Sequence, residues 1–140
     1  MINFFENKNK KNADESFSKI ASLLIHAAKI DEEFSEKEKT IIKRALLELG
    51  ADNSRIDKIM SDAIILEENS NQILDFTKEV KNVPESDKIK IIESLWKIVY
   101  SNNNADMYEK NLMRRLSGLL YIEAKTMVDI KEKVKRELTK

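Results

Sequence analysis

The sequence predicts an all-α fold, a bundle of about seven helices. Three observations carry this expectation. Two glycines and one proline in 140 residues leave few places for hairpins or glycine-rich loops. Apolar residues recur at i, i+3, i+4 and i+7 in segment after segment. Charged residues make up 36% of the chain and aromatic residues only 6%, the profile of short amphipathic helices with solvated outer faces. The length fits one domain able to bury a core without disulfide or metal staples.

Residues 1–13, rich in Asn and Lys around Phe4–Phe5, read as a loose arm, and residues 14–140 as a single helical domain. Helical periodicity starts at Asp14, with Phe17, Ile20, Ala21, Leu24 and Ala28 inward and Leu23 and Ile25 widening the stripe. At ~100° per residue His26 points away from that stripe and is expected at the surface. After a short acidic connection, Ser35 and Glu38 form a capping box. The helix they open carries Ile41, Ile42, Ala45, Leu46 and Leu49 and stops at Gly50, a residue suited to left-handed backbone. A third helix follows a cap near Asp52 or Ser54, with Ile56, Ile59, Met60 and Ala63 inward. A fourth, about residues 70–82, presents Ile73, Phe76, Thr77 and Val80. Val83–Pro84 breaks the chain, because the residue before proline avoids helical backbone. The fifth helix is apolar around half its circumference (Ile89, Ile91, Ile92, Leu95, Trp96, Ile98, Val99), which implies neighbours on more than one side. Past a polar Asn102–Asn104 turn, Asp106 and Glu109 repeat the cap-plus-three spacing ahead of Leu112, Met113, Leu116, Leu119 and Leu120. Gly118 falls inside this helix, where close helix packing is the expected compensation. The last helix carries Met127, Ile130, Val134 and Leu138.

The two ends of the chain align at an offset of 71 residues: Ile20 with Ile91, Leu24 with Leu95, Glu38 with Glu109, Arg44 with Arg115, Leu49 with Leu120. Caps, turns and inward stripes align together, so two pseudo-repeated three-helix halves (about 14–66 and 85–138) joined by a linking helix are expected, with the first and fifth helices central.

Composition also bounds the chemistry. Zero cysteine excludes disulfides, thiolate nucleophiles and cysteine-ligated metal, and a single histidine excludes a multi-His centre within the chain. Any cation held by this chain must be held by oxygen. Twenty-five basic residues balance twenty-five acidic ones, without the basic excess of a nucleic-acid binder. Gly50 and Gly118 build no phosphate-binding loop, and one surface histidine makes no Ser–His–Asp site. No apolar run approaches the ~18 residues that span a bilayer, and the start of the chain lacks a secretory h-region, so a cytoplasmic protein is expected. Phe4–Phe5 with Lys8, Lys10 and Lys11 offers one route to a membrane interface, through residues 1–12.

The concentrated polar chemistry lies at two helix–turn–helix corners. Asp31, Glu32, Glu33, Glu36 and Glu38 crowd the first. Clustered carboxylates suit a hard divalent cation. They equally suit a helix start, where Glu38 caps and the other acids favour the positive end of the dipole. An EF-hand is excluded, because its sixth and twelfth positions counted from Asp31 are Glu36 and Ile42. The second corner offers Asp106 and Glu109 with neutral Asn102–Asn104, a weaker donor set.

The run from Ala28 through Asp31, Phe34, Ser35 and Glu38 to Ile41 resembles the first corner of the tellurite-resistance TerB-like family. The run from Leu95–Trp96 through Tyr100, Asn102–Asn103, Tyr108–Glu109 and Leu112–Met113–Arg114–Arg115–Leu116 to Leu119–Leu120 resembles the second. The resemblance spans about residues 15–138 and implies a TerB-like bundle of two related halves. It implies a non-enzymatic role tied to metal, tellurite or general stress, with Asp31, Glu38 and Glu109 as acids of a divalent-cation site. Glu32 and Asn103 stand where the family has turn glycines, and Asn102 where it has a second Asp, which removes a carboxylate from the second corner. The alternative role is a protein-interaction or membrane-peripheral adaptor without a ligand.

Overall fold

The computed structural model describes residues 10–29, 34–70, 73–101 and 109–138, with backbone alone at 10, 11, 109 and 110. Among these residues it has seven α-helices and no strand: α1 (Lys10–Ala28), α2 (Glu36–Glu48), α3 (Ile56–Glu68), α4 (Leu74–Lys81), α5 (Glu85–Tyr100), α6 (Arg114–Leu119) and α7 (Ala124–Leu138). A short 3₁₀ turn, Asn53–Arg55, leads into α3, and a π-helical turn, Glu109–Met113, leads into α6. The all-α class and the expected helix number hold.

Local chemistry explains most boundaries. Ser35 is extended (φ −77°, ψ 162°); its hydroxyl accepts from Glu38 N, and the Glu38 carboxylate accepts from Ser35 N, the reciprocal box. Gly50 sits at φ 108°, where Ala51 N donates to Leu46 O and Gly50 N to Leu47 O, closing α2 in a Schellman motif. Asp52 accepts from Ser54 N ahead of α3. Pro84 (φ −57°, ψ 153°) immediately precedes α5.

α1 lies at the centre, against α2, α3, α4 and α5; α5 in turn packs on α7, α2 and α4. Ile20, Ala21, Leu23, Leu24 and Ile25 of α1 are fully buried, as are Ile91, Ile92 and Leu95 of α5. The α1–α3 seam has a regular register. Asp14 meets Arg55 (3.0 Å), Ser18 reaches Ile59 O (3.4 Å), Ser22 reaches Ala63 O (3.1 Å) and His26 meets Glu67 (3.5 Å). Partner numbers rise together in steps of four, so α1 and α3 run side by side in the same direction, with α2 as the return. α5 and α7 are also parallel, since Trp96 meets Lys131 and Tyr100 meets Lys135.

Several expectations are corrected. Helix α1 starts at Lys10, earlier than Asp14, and α4 is shorter than residues 70–82. His26 is half-buried beside Glu67, because the parallel α3 covers a face that the periodicity of α1 alone leaves in solvent. Among the described residues no neighbour approaches Gly118: a Cβ added there meets nothing within 4 Å, and no close helix packing is found at this position. Leu138 is 52% exposed at the end of α7, past the Lys135–Tyr100 contact. Among the described residues no helix is long and apolar enough to cross a membrane. The Phe4–Phe5 pair and Lys8, on which the membrane-interface reading rests, lie outside the described residues.

A candidate cation site at the first corner

Glu38 sits in the first turn of α2 because Ser35 starts the helix three residues earlier. Its carboxylate folds back on the start of its own helix. Oε1 accepts from Ser35 N and from Ser35 Oγ, both at 2.9 Å. The residue is only 4% exposed, and Oε2 finds no hydrogen-bond partner among the described residues. Each carboxylate oxygen carries two lone pairs, and leaving one oxygen buried without a partner costs free energy. A hard cation is a partner of the right kind for a bare carboxylate oxygen.

The remaining acids of the corner divide. Glu36 points into solvent and pairs with Lys39 at 3.2 Å. The Lys39 ammonium also lies 5.4 Å from the centre of the Phe34 ring, and that ring packs on the core beside Ser35. Asp31, with Glu32 and Glu33, lies outside the described residues, as does the Glu109 side chain. Of the three acids expected at a cation site, Glu38 alone is described in full. Glu109 opens the π-helical turn, where an α-helical start is expected from its spacing to Asp106. Among the described residues no three Asp, Glu or His side chains converge as a metal cluster.

One acid absent from the sequence reading reaches the same end of α1. Glu67, from the end of α3, accepts from Lys29 at 2.7 Å and faces His26. Lys29 compensates its charge while the His26 ring faces it, so Glu67 serves to fasten the end of α3 beside the end of α1. The parallel register, with complementary residues four apart on both helices, is the signal that finds it.

The family model described as tellurite resistance protein TerB matches residues 17–132 of the chain. No curated protein and no solved structure matches it.

Proposed function

The chain belongs to the TerB tellurite-resistance family, and from that premise we propose that it is a non-enzymatic cytoplasmic protein that binds a divalent cation at its first corner, in the service of metal, tellurite or general stress tolerance. The observation that carries the reading is the buried Oε2 of Glu38, without a partner among the described residues. Glu38 would supply one oxygen and Asp31, from the acidic stretch that precedes it in the sequence, another. An all-oxygen donor set favours calcium, magnesium or manganese over softer metals. The chain's single histidine already faces Glu67, which supports a site built from oxygen.

Calorimetric titration of the full-length chain with calcium, magnesium, manganese and zinc tests this. Saturable binding of at least one, with a dissociation constant below roughly 1 mM, is expected. Glu38→Gln keeps an oxygen for the Ser35 cap while removing the charge, so it and Asp31→Asn should each abolish the heat without unfolding the protein. If no cation binds below millimolar, or if Asp31→Asn binds like the parent, the cation reading fails.

A further inference from the structure

A second candidate site lies on the opposite half of the chain and does not depend on the first corner. Between α5, the start of α6 and α7 runs an open groove of about 410 Å³, within the range of small-molecule sites. Its lining includes Trp96, Met113, Arg114, Ser117, Met127 and Lys131. The apolar part of this lining is buried: Trp96, Met113 and Met127 are each at most 6% exposed. Two of these three are thioethers, side chains that adapt to the shape of what they contact. Val128, 52% exposed, extends the apolar surface onto the rim.

The polar groups have one character. Among the described residues no carboxylate lines the groove. Arg114 is exposed and has no ion-pair partner among the described residues. The Lys131 ammonium lies 6.0 Å from the centre of the Trp96 ring, adding positive charge over the same floor. The indole N–H of Trp96 is buried and has no acceptor among the described residues. Ser117 donates its hydroxyl proton to Ile122 O at 3.2 Å, so it presents lone pairs and no competing negative charge. The π-helical turn Glu109–Met113 runs straight into Arg114, and such widened turns occur frequently at functional sites.

We propose that this groove binds an amphipathic carboxylate, a single anionic head on an apolar chain of the medium-chain fatty-acid type. The apolar body lies over Trp96, Met113 and Met127. The head takes the guanidinium fork of Arg114 in a charge-assisted pair, with the Lys131 charge nearby, and an acceptor brought to the floor answers the orphan indole N–H. A wholly apolar ligand leaves that N–H without an acceptor and makes no use of the Arg114 guanidinium, and a bare anion forgoes the apolar floor.

Trp96 is the chain's only tryptophan, so its intrinsic emission reports on the groove directly. The full-length protein is titrated with sodium decanoate below its micelle concentration, alongside acetate and decanol. A saturable emission change with decanoate is expected, with acetate inert and decanol markedly weaker. Arg114→Gln should weaken decanoate about tenfold or more, the equivalent of one charge-assisted pair. Arg115→Gln, an exposed neighbour outside the groove lining, should leave the affinity within about twofold of the parent. Circular dichroism confirms that both variants are folded. The proposal is overturned if decanoate gives no saturable change up to millimolar, if decanol binds equally well, or if Arg115→Gln weakens binding as much as Arg114→Gln. Glu38→Gln should bind decanoate normally, which separates this site from the cation site.

Discussion

Glu38 uses its two oxygens differently. Oε1 is part of the helix start and Oε2 is buried without a donor among the described residues, so substitutions can separate the two roles. Glu38→Ala removes both and should lose the cap as well, about 0.5–2 kcal/mol, whereas Glu38→Gln spares most of it. Gly118 is the opposite case, a residue with no visible need to be glycine. It lies in α6, outside the positive-φ region, and an added Cβ meets nothing within 4 Å among the described residues. Gly118→Ala should therefore stabilise the protein by about 0.5–1 kcal/mol, by restricting the unfolded chain. Thermal denaturation should show a rise of roughly 2–4 °C per kcal/mol. An unchanged or lowered midpoint would mean that the flexibility of Gly118 is used.

Among the helices, the two Schellman stops have the same hydrogen bonding. Tyr121 N donates to Gly118 O and Ile122 N to Ser117 O, as Gly50 N and Ala51 N do to Leu47 O and Leu46 O. The second stop puts Tyr121 at φ 55°, costing about 1–2 kcal/mol relative to ordinary backbone. The Lys81 ammonium lies 4.3 Å from its ring centre, a cation–π contact that offsets part of this. The buried Lys88 ammonium donates to Leu120 O at 3.1 Å, placing a positive charge at the negative end of α6. On the α5–α7 seam, Lys133 bonds Glu93 at 2.8 Å; that hydrogen bond, then the Glu93 charge, raises the Lys133 pKa above its usual 10.5. A raised folded pKa gives stability that is fully present below 10.5 and lost as pH rises through the folded value. Urea unfolding should thus show Lys133→Met slightly less stable than the parent at about pH 8, with the gap closing at about pH 12. Both side chains reach solvent, so the effect is small and weakens with salt. A gap that persists at high pH would assign the loss to packing of the lysine stem.

For the molecule as a whole, α1 is the element the others surround. Leu24 is fully buried on it. Leu24→Ala should cost about 2–5 kcal/mol, through lost transfer energy and a cavity the rigid surroundings cannot collapse. Against a total of about 5–15 kcal/mol for a domain, this is a large fraction. Chemical denaturation should show a lower midpoint with an unchanged slope. A loss under 1 kcal/mol would mean that the core around α1 can rearrange. The same centrality explains the serines. Ser16, Ser18 and Ser22 carry polar side chains, and all three are buried. Ser18 and Ser22 take carbonyls of α3 as acceptors, and small side chains let the two parallel helices approach closely.

Most helix boundaries were legible because their causes act within a few residues. The Ser35–Glu38 box, the Gly50 stop and the Pro84 entry are each closed by bonds or backbone restrictions spanning at most five positions. The inward stripes of α1, α2, α3 and α5 follow from a helical period that needs no partner to be read. The Tyr121 stop was not legible, because nothing in a tyrosine announces left-handed backbone. Of the candidate cation site, the sequence disclosed the Glu38 cap and the acids that neighbour it along the chain. That one carboxylate oxygen is buried without a donor among the described residues appears only once the core closes over it. The pairing of His26 and Lys29 with Glu67, the burial of the α1 serines, and the groove joining Trp96 to Arg114 and Lys131 were decided by tertiary structure alone. Each depends on which faces meet when α2 turns the chain back and sets α3 parallel to α1, and when α7 runs parallel to α5. Periodicity along one helix states which face is apolar; it carries no information about the polar atoms a second helix will bring beside it.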